Sequence, residues 1–146
     1  MSEHVEGLNR KQTALFPNTL EEYVEKENPV RFIDAFVDSL NIEQLGFKHA
    51  IPTDVGRPSY DPSDLLKLYV YGYLNQVRSS RKLERKCHRN VEVLWLMKKL
   101  APDFKTIADF RKDNIDCVKG VFKEFVKLKN GNPLLLRKCV KPTLLK

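Results

Sequence analysis

Apolar residues recur at helical spacing along most of the chain. Between Pro29 and Leu40 they follow the i, i+3, i+4, i+7 rule, and Asn28 precedes them as a helix cap. A second pattern has Asp61 as its cap and Pro62 at the first helical position, and it is apolar enough to predict a central core helix. The inward residues predicted for these two helices are Val30, Ile33, Phe36, Val37, Leu40, Leu65, Leu66, Tyr69, Val70, Tyr73 and Leu74. Tyr71 is expected on the opposite, exposed side.

Three further helices are predicted after Gln76. The first is short, with Ser79 or Ser80 as its cap, and Leu83 and Cys87 form its single apolar side. Asn90 can end it, and the next helix, in VEVLWLMKKL, stops before Pro102. The inward residues predicted for that helix are Val91, Leu94 and Trp95, with Met97 or Leu100.

The last predicted helix is a long one, from about residue 106 to about residue 129. Its predicted inward residues are Ile107, Phe110, Ile115, Val118, Phe122, Phe125 and Val126. No stretch alternates long enough to predict a strand, so the expected fold is all-α, a compact multi-helix domain.

The pattern divides the chain into three parts. Residues 1–18 are polar and read as a flexible arm, and residues 19–129 form the helical domain, with Asn18 or Thr19 capping its first helix. Residues 46–60 contain two prolines and two glycines and are expected as a loop. Residues 130–146 are basic, contain Gly131, Pro133 and Pro142, and lack helical periodicity, so an irregular tail is expected.

Composition argues against several classes of protein. No apolar run approaches the roughly 20 residues of a membrane span, and the N-terminus has no secretory leader, so a cytoplasmic location without a membrane partner is expected. Cys87, Cys117 and Cys139 are far apart and form no CxxC pair, so neither a disulfide framework nor a metal site is predicted. No catalytic or phosphate-loop motif is present, so no cofactor and no small-molecule substrate are expected.

The net charge of +7 is concentrated in two segments. Residues 78–99 carry +6 and residues 129–146 carry +5, whereas residues 1–60 carry −4. An apolar helix, a tight three- to four-residue turn and a short basic helix are typical of a helix-turn-helix, whose second helix enters the major groove of double-stranded DNA. The candidate DNA-binding residues are Arg78, Ser79, Ser80, Arg81, Lys82, Arg85, Lys86 and Arg89. The pattern alone favours a merely solvated basic face over DNA binding.

Within this set, Arg81 and Arg85 are four residues apart and project from one side of a helix, so they are the candidates for base-edge contacts. Lys86 is expected to contact phosphate, which would affect all DNA sequences about equally. Cys87 is expected in the core, and His88 on the basic surface.

Longer stretches of the sequence resemble the N-terminal domain of DDE-type insertion-sequence transposases. The resemblance covers about residues 12–128 and rests on GRPSYDP, GYLNQVRSSRKLE and PDFKTIADFRKDN, in this order. It implies an all-helical domain that binds the terminal inverted repeats of the element and precedes an RNase H-like catalytic domain.

The resemblance ends near Phe125, before the part in which that family carries its catalytic aspartates and glutamate. No Asp or Glu follows Glu124, so this chain is expected to be non-catalytic, the product of a truncated or frameshifted gene. Asp109, Asp113 and Asp116 are expected on a solvated helix face and not at a metal. Two functions stay open: a DNA-binding transposase domain without its catalytic half, and a protein-interaction remnant that oligomerises with an intact transposase.

Overall fold

The computed structural model describes residues 4–49 and 59–131. In these two ranges the chain forms a single 3₁₀ turn, Leu20–Tyr23, and six α-helices, with no strand. The helices are α1 (Pro29–Asp38), α2 (Pro62–Leu74), α3 (Ser80–Arg89), α4 (Val91–Leu96), α5 (Phe104–Asp113) and α6 (Ile115–Gly131). The predicted all-α fold is confirmed. Most of the predicted loop at residues 46–60 and most of the predicted tail lie outside the described residues.

The starts of α1 and α2 are where the sequence predicts them. The Asn28 side chain accepts a hydrogen bond from the Val30 amide at 2.9 Å, and the Asp61 carboxylate accepts one from the Ser63 amide at 2.9 Å. Such bonds satisfy amides that have no partner within the helix. Thr19 precedes the first element, as one of the two predicted caps, but this element is only one 3₁₀ turn.

α2 is the centre of the core and packs against α1, α4 and α5. Its residues from Leu65 to Gly72 are all buried. On one side, Phe125 of α6 packs on Phe32 and Phe36 of α1, with ring centroids 5.8 and 5.2 Å apart. These aromatic contacts hold α6 against α1.

Two tyrosines of α2 were predicted on the wrong sides. Tyr71 is buried, with only 4% of its surface exposed, whereas Tyr73 is 47% exposed and Leu74 is half-buried. Tyr71 points towards the start of α4. Burial, and to a smaller extent the charge of Glu92, raise the pKa of its hydroxyl. A helix that is covered on several sides has no single inward stripe, so its periodicity does not identify its exposed residues.

The inward side of α4 was predicted only in part: Met97 is buried, as predicted, whereas Val91 and Leu100 are not. Val93, Leu96 and Met97 are buried, whereas Val91 is 51% exposed. Leu100 is exposed, and Leu94 and Trp95 are half-buried. Six residues that are nearly all apolar fit several helical registers equally well, so only the neighbouring helices decide which side is covered.

The predicted long C-terminal helix is two helices, because the helical conformation is interrupted at Asn114. The Asn114 side chain is buried, accepts a hydrogen bond from the Lys48 amide at 2.8 Å and donates one to the Phe110 carbonyl at 3.0 Å. Ile115, predicted inward, is exposed beside this break, and Phe122 and Val126 are only half-buried. The break ends α5 at Asp113 and starts α6 at Ile115.

One buried charge was not predicted. Lys67 of α2 is 3% exposed, and its ammonium lies 2.7 Å from Oδ1 of Asp34 and 2.9 Å from Oδ1 of Asp38, both on α1. Burial lowers the pKa of Lys67, but the hydrogen bonds from its ammonium to the two carboxylates outweigh that effect and raise it. This ion triad joins α1 to α2.

No helix in the described ranges is long and apolar enough to cross a membrane.

Candidate nucleic-acid interface

The basic helix α3 has a fully buried side, as predicted. Leu83 is 0% exposed and Cys87 is 1% exposed. Burial raises the pKa of the Cys87 thiol to about 11, so this side chain is a neutral apolar group at physiological pH. α3 packs mainly against α4 and α5, and the side chain of Leu83 also reaches Gly72 of α2.

Four basic residues of α3 lie together on its outer side. Lys82, Arg85, Lys86 and Arg89 follow the i, i+3, i+4, i+7 spacing of one helix face and line a groove of about 460 Å³. Gln76, Val77 and Asn90 complete the walls of this groove. Three of the four side chains are exposed, and that of Lys86 is half-buried. We call these four residues the basic face.

Arg81 is exposed but lies beside the basic face. Its guanidinium carbon is 4.1 Å from the centroid of the Phe104 ring, in the first turn of α5. It is therefore engaged in a cation–π contact, and the two predicted base-contact candidates, Arg81 and Arg85, have different surroundings. No local sequence pattern indicates this contact, because Phe104 follows α3 by many residues.

The start of α3 is organised by a serine. The Ser79 hydroxyl accepts a hydrogen bond from the Lys82 amide at 3.4 Å, which makes Ser79 and not Ser80 the cap. Ser80 is half-buried. Arg78, in the turn before the cap, is exposed and lines a different cavity, together with Arg111 of α5. The eight predicted DNA-binding residues therefore do not form one surface.

The turn between α2 and α3 comprises five residues, 75–79, which is longer than predicted. Gln76 has a φ of 58°, in the left-handed region, and the Val77 amide donates to the Gly72 carbonyl at 2.8 Å. This tight turn brings the Val77 carbonyl against Gly72. The assignment of α2 and α3 as a helix-turn-helix stays a prediction.

The acidic and metal-binding residue types are dispersed. Within residues 4–49 and 59–131, no three His, Cys, Asp or Glu side chains are close enough together to hold a metal ion. Asp109, Asp113 and Asp116 are exposed on α5 and α6, and His88 is exposed on α3.

A family of transposase domains (DUF772) matches residues 18–113, about two thirds of the chain. The chain belongs to this transposase-domain family. Neither a curated protein nor a solved structure matches it. The matched segment contains the whole of α3 with its basic face and ends at the last residue of α5.

Proposed function

We propose that this transposase domain binds double-stranded DNA at the terminal inverted repeats of its element, and that α3 provides the contact. The observation that carries the proposal is the division of α3 into two sides. Leu83 and Cys87 fix the helix to the core, while the four cations of the basic face project into an open groove. A rigid helix with positive charge on its free side matches the shape and charge of a DNA groove.

The residues of α3 would have different roles in DNA binding. Lys82, Lys86 and Arg89 would neutralise phosphates, which sets affinity and register but carries no sequence information. Arg85 lies between them on the same side, and its planar guanidinium can bind a guanine edge through two hydrogen bonds. The proposed role is recognition without strand cleavage, as the resemblance to the N-terminal domain of DDE transposases implies.

Fluorescence anisotropy with an inverted-repeat duplex and a random duplex of equal length tests this proposal. Lys86→Ala should weaken binding to both duplexes about equally and reduce the slope of log K against log salt by about 1. Arg85→Ala should weaken binding to the inverted repeat by about 1–3 kcal/mol and reduce the preference for it. Lys119→Ala, which removes an exposed lysine of α6, is the matched control and should bind as the unmodified chain does.

Equal binding by Arg85→Ala, Lys86→Ala and the unmodified chain at low and moderate salt would contradict the proposal. In that case the basic face is only solvated. Association of the chain with an intact transposase, measured without DNA, would then favour the protein-interaction function.

A further inference from the structure

A second cavity, of about 560 Å³, lies on the other side of the α2–α3 turn from the basic groove. Gln76 and Val77 line both cavities, so the turn is a shared wall. Tyr73 of α2 and Phe122 of α6 also line the second cavity, as do Arg78 and Arg111. We call it the aromatic cleft. The aromatic cleft and the groove of the basic face therefore adjoin at Gln76 and Val77.

The aromatic cleft offers flat apolar surface to solvent. Tyr73 is 47% exposed although its ring centroid lies 5.0 Å from that of Phe122 and 6.4 Å from that of Phe125, which supports it edge-on. Gly72 also lines the cleft and has no side chain that could fill it. Tyr73 is thus an aromatic residue held in place by two others and left accessible on its remaining side.

The polar groups of the cleft are mainly cationic. Arg78 and Arg111 are both exposed, and none of the described residues that line the cleft is acidic. The Tyr69 hydroxyl already donates to the Ile107 carbonyl at 2.5 Å, and burial raises its pKa to about 12, so Tyr69 stays neutral. The cleft therefore suits a ligand with a flat aromatic part and a negative charge.

A nucleotide combines these two properties, because its base can stack on an aromatic ring and its phosphate can pair with a guanidinium. We propose that the aromatic cleft binds one unpaired nucleotide of a DNA strand whose duplex part lies along α3. The base stacks against Tyr73, and the phosphates beside it pair with Arg78 and Arg111. We take the binding of duplex DNA by the basic face, proposed above, as the starting point.

The base-dependent part of this binding can be measured without any duplex. The unmodified chain is titrated with a short oligothymidylate and with an abasic strand of the same length, which has the same phosphates but no bases. The abasic strand should bind about ten-fold more weakly. Tyr73→Leu should remove that difference, whereas Tyr73→Phe should keep it, since the ring is retained. Arg111→Ala should weaken both strands by the same factor.

Tyr23→Leu is the matched control, because Tyr23 is also a partly exposed tyrosine, 39%, but lies in the 3₁₀ turn and does not line the cleft. It should leave the thymidylate preference unchanged. Melting curves for all variants establish that they are folded. Equal binding of the two strands by the unmodified chain would overturn the proposal, as would equal effects of Tyr23→Leu and Tyr73→Leu.

A second titration separates this proposal from that for α3. A duplex with a short single-stranded extension should bind more tightly than the blunt duplex, and Tyr73→Leu should abolish only this gain. Arg85→Ala should weaken both duplexes by the same factor. If Arg85→Ala and Lys86→Ala leave binding unchanged and Tyr73→Leu weakens it, the proposed role of the basic face is overturned. The cleft then remains as a site for single-stranded DNA. If the single-stranded extension does not tighten binding, only the proposal for the aromatic cleft is overturned.

Discussion

The guanidinium of Arg81 lies over the ring of Phe104 and thereby connects the first turn of α3 to the first turn of α5. The ring is 37% exposed, so the contact lies at the surface. Cation–π contacts at exposed sites contribute about 0.5–1 kcal/mol. The contact restrains one of the two arginines that the sequence singled out for base recognition.

A double-mutant cycle should measure this contact. Arg81→Ala, Phe104→Leu and the double variant are expected to show a coupling of about 0.5–1 kcal/mol in the free energy of urea unfolding. Phe104→Leu should also reduce the preference for the inverted repeat if Arg81 reads a base, since the ring orients the guanidinium. Additive stabilities would show that the two side chains are neighbours without a stabilising contact.

The ion triad of Lys67, Asp34 and Asp38 should respond asymmetrically to substitution. Lys67→Met keeps an apolar side chain of similar length in the core and leaves two carboxylates that are 29% and 60% exposed, so we expect a loss of less than about 1.5 kcal/mol in unfolding free energy. Asp34→Asn together with Asp38→Asn leaves the ammonium buried without the two carboxylates that accept its hydrogen bonds, and the expected loss is about 3 kcal/mol. Urea titrations of the two variants at neutral pH give this comparison. Equal losses would show that the carboxylates do not stabilise the buried ammonium.

Two glycines should respond to alanine in opposite directions. A Cβ atom on Gly72 would lie 2.6 Å from the Val77 carbonyl oxygen and 3.1 Å from Leu83, so Gly72→Ala should destabilise the protein by about 1–3 kcal/mol through overpacking at the turn. A Cβ atom on Gly120, in α6, would meet nothing within 4 Å. Gly120→Ala should therefore stabilise the protein by about 0.5–1 kcal/mol. Thermal unfolding of both variants distinguishes them, and a stabilising Gly72→Ala would contradict the close approach of turn and helix.

The sequence predicted those features that short segments determine by themselves. The caps at Asn28, Asp61 and Ser79 are confirmed, because a cap depends on one side chain and the amides two or three residues later. The buried pair on α3 was predictable too, since its other positions are almost all charged. Local chemistry was sufficient in both cases.

Features that depend on distant contacts were not predictable. The break at Asn114 involves a hydrogen bond from Lys48, 66 residues earlier, and the burial of Lys67 requires two aspartates on another helix. The aromatic cleft likewise combines Tyr73 and Phe122, which periodicity had placed in the core as separate inward residues. Its two arginines come from a turn and from α5, so no motif contains them together.

The buried thiol of Cys87 should make stability fall at alkaline pH. Burial raises the pKa of this thiol from 9.0 to about 11, so between these values the unfolded chain has lost a proton that the folded chain retains. The contribution is fully present below pH 9 and declines towards pH 11, by about 2–3 kcal/mol in all.

Urea titrations at pH 8 and pH 10.5 test this. Cys87→Ala removes the titration, so the difference in stability between it and the unmodified chain should shrink at the higher pH. Cys117→Ala is the control, because it removes a half-buried thiol of α6 and keeps Cys87. All other titrating groups are common to Cys87→Ala and the unmodified chain. A constant difference between Cys87→Ala and the unmodified chain would contradict the predicted shift.

No strand cleavage or joining is expected from this chain. In the family that the sequence resembles, three carboxylates of an RNase H-like domain hold the two metal ions that cut DNA. Highly purified protein should therefore leave a supercoiled plasmid that contains the inverted repeats intact, with Mg²⁺ or Mn²⁺. An unrelated basic protein purified in the same way controls for contaminating nucleases. Nicking by this protein alone would show that the described domain has catalytic residues of its own.

The break at Asn114 lies one residue beyond the segment that matches the transposase-domain family. The two proposed DNA-binding sites differ in their position relative to this boundary. The basic face belongs wholly to the matched segment, whereas the aromatic cleft is composite, with Tyr73 inside the segment and Phe122 on the helix that follows it. A family member with a different helix after the break would keep the proposed surface for duplex DNA and lose Phe122 from the proposed stacking site. If both proposals hold, duplex recognition and the binding of an unpaired base can vary independently in this architecture.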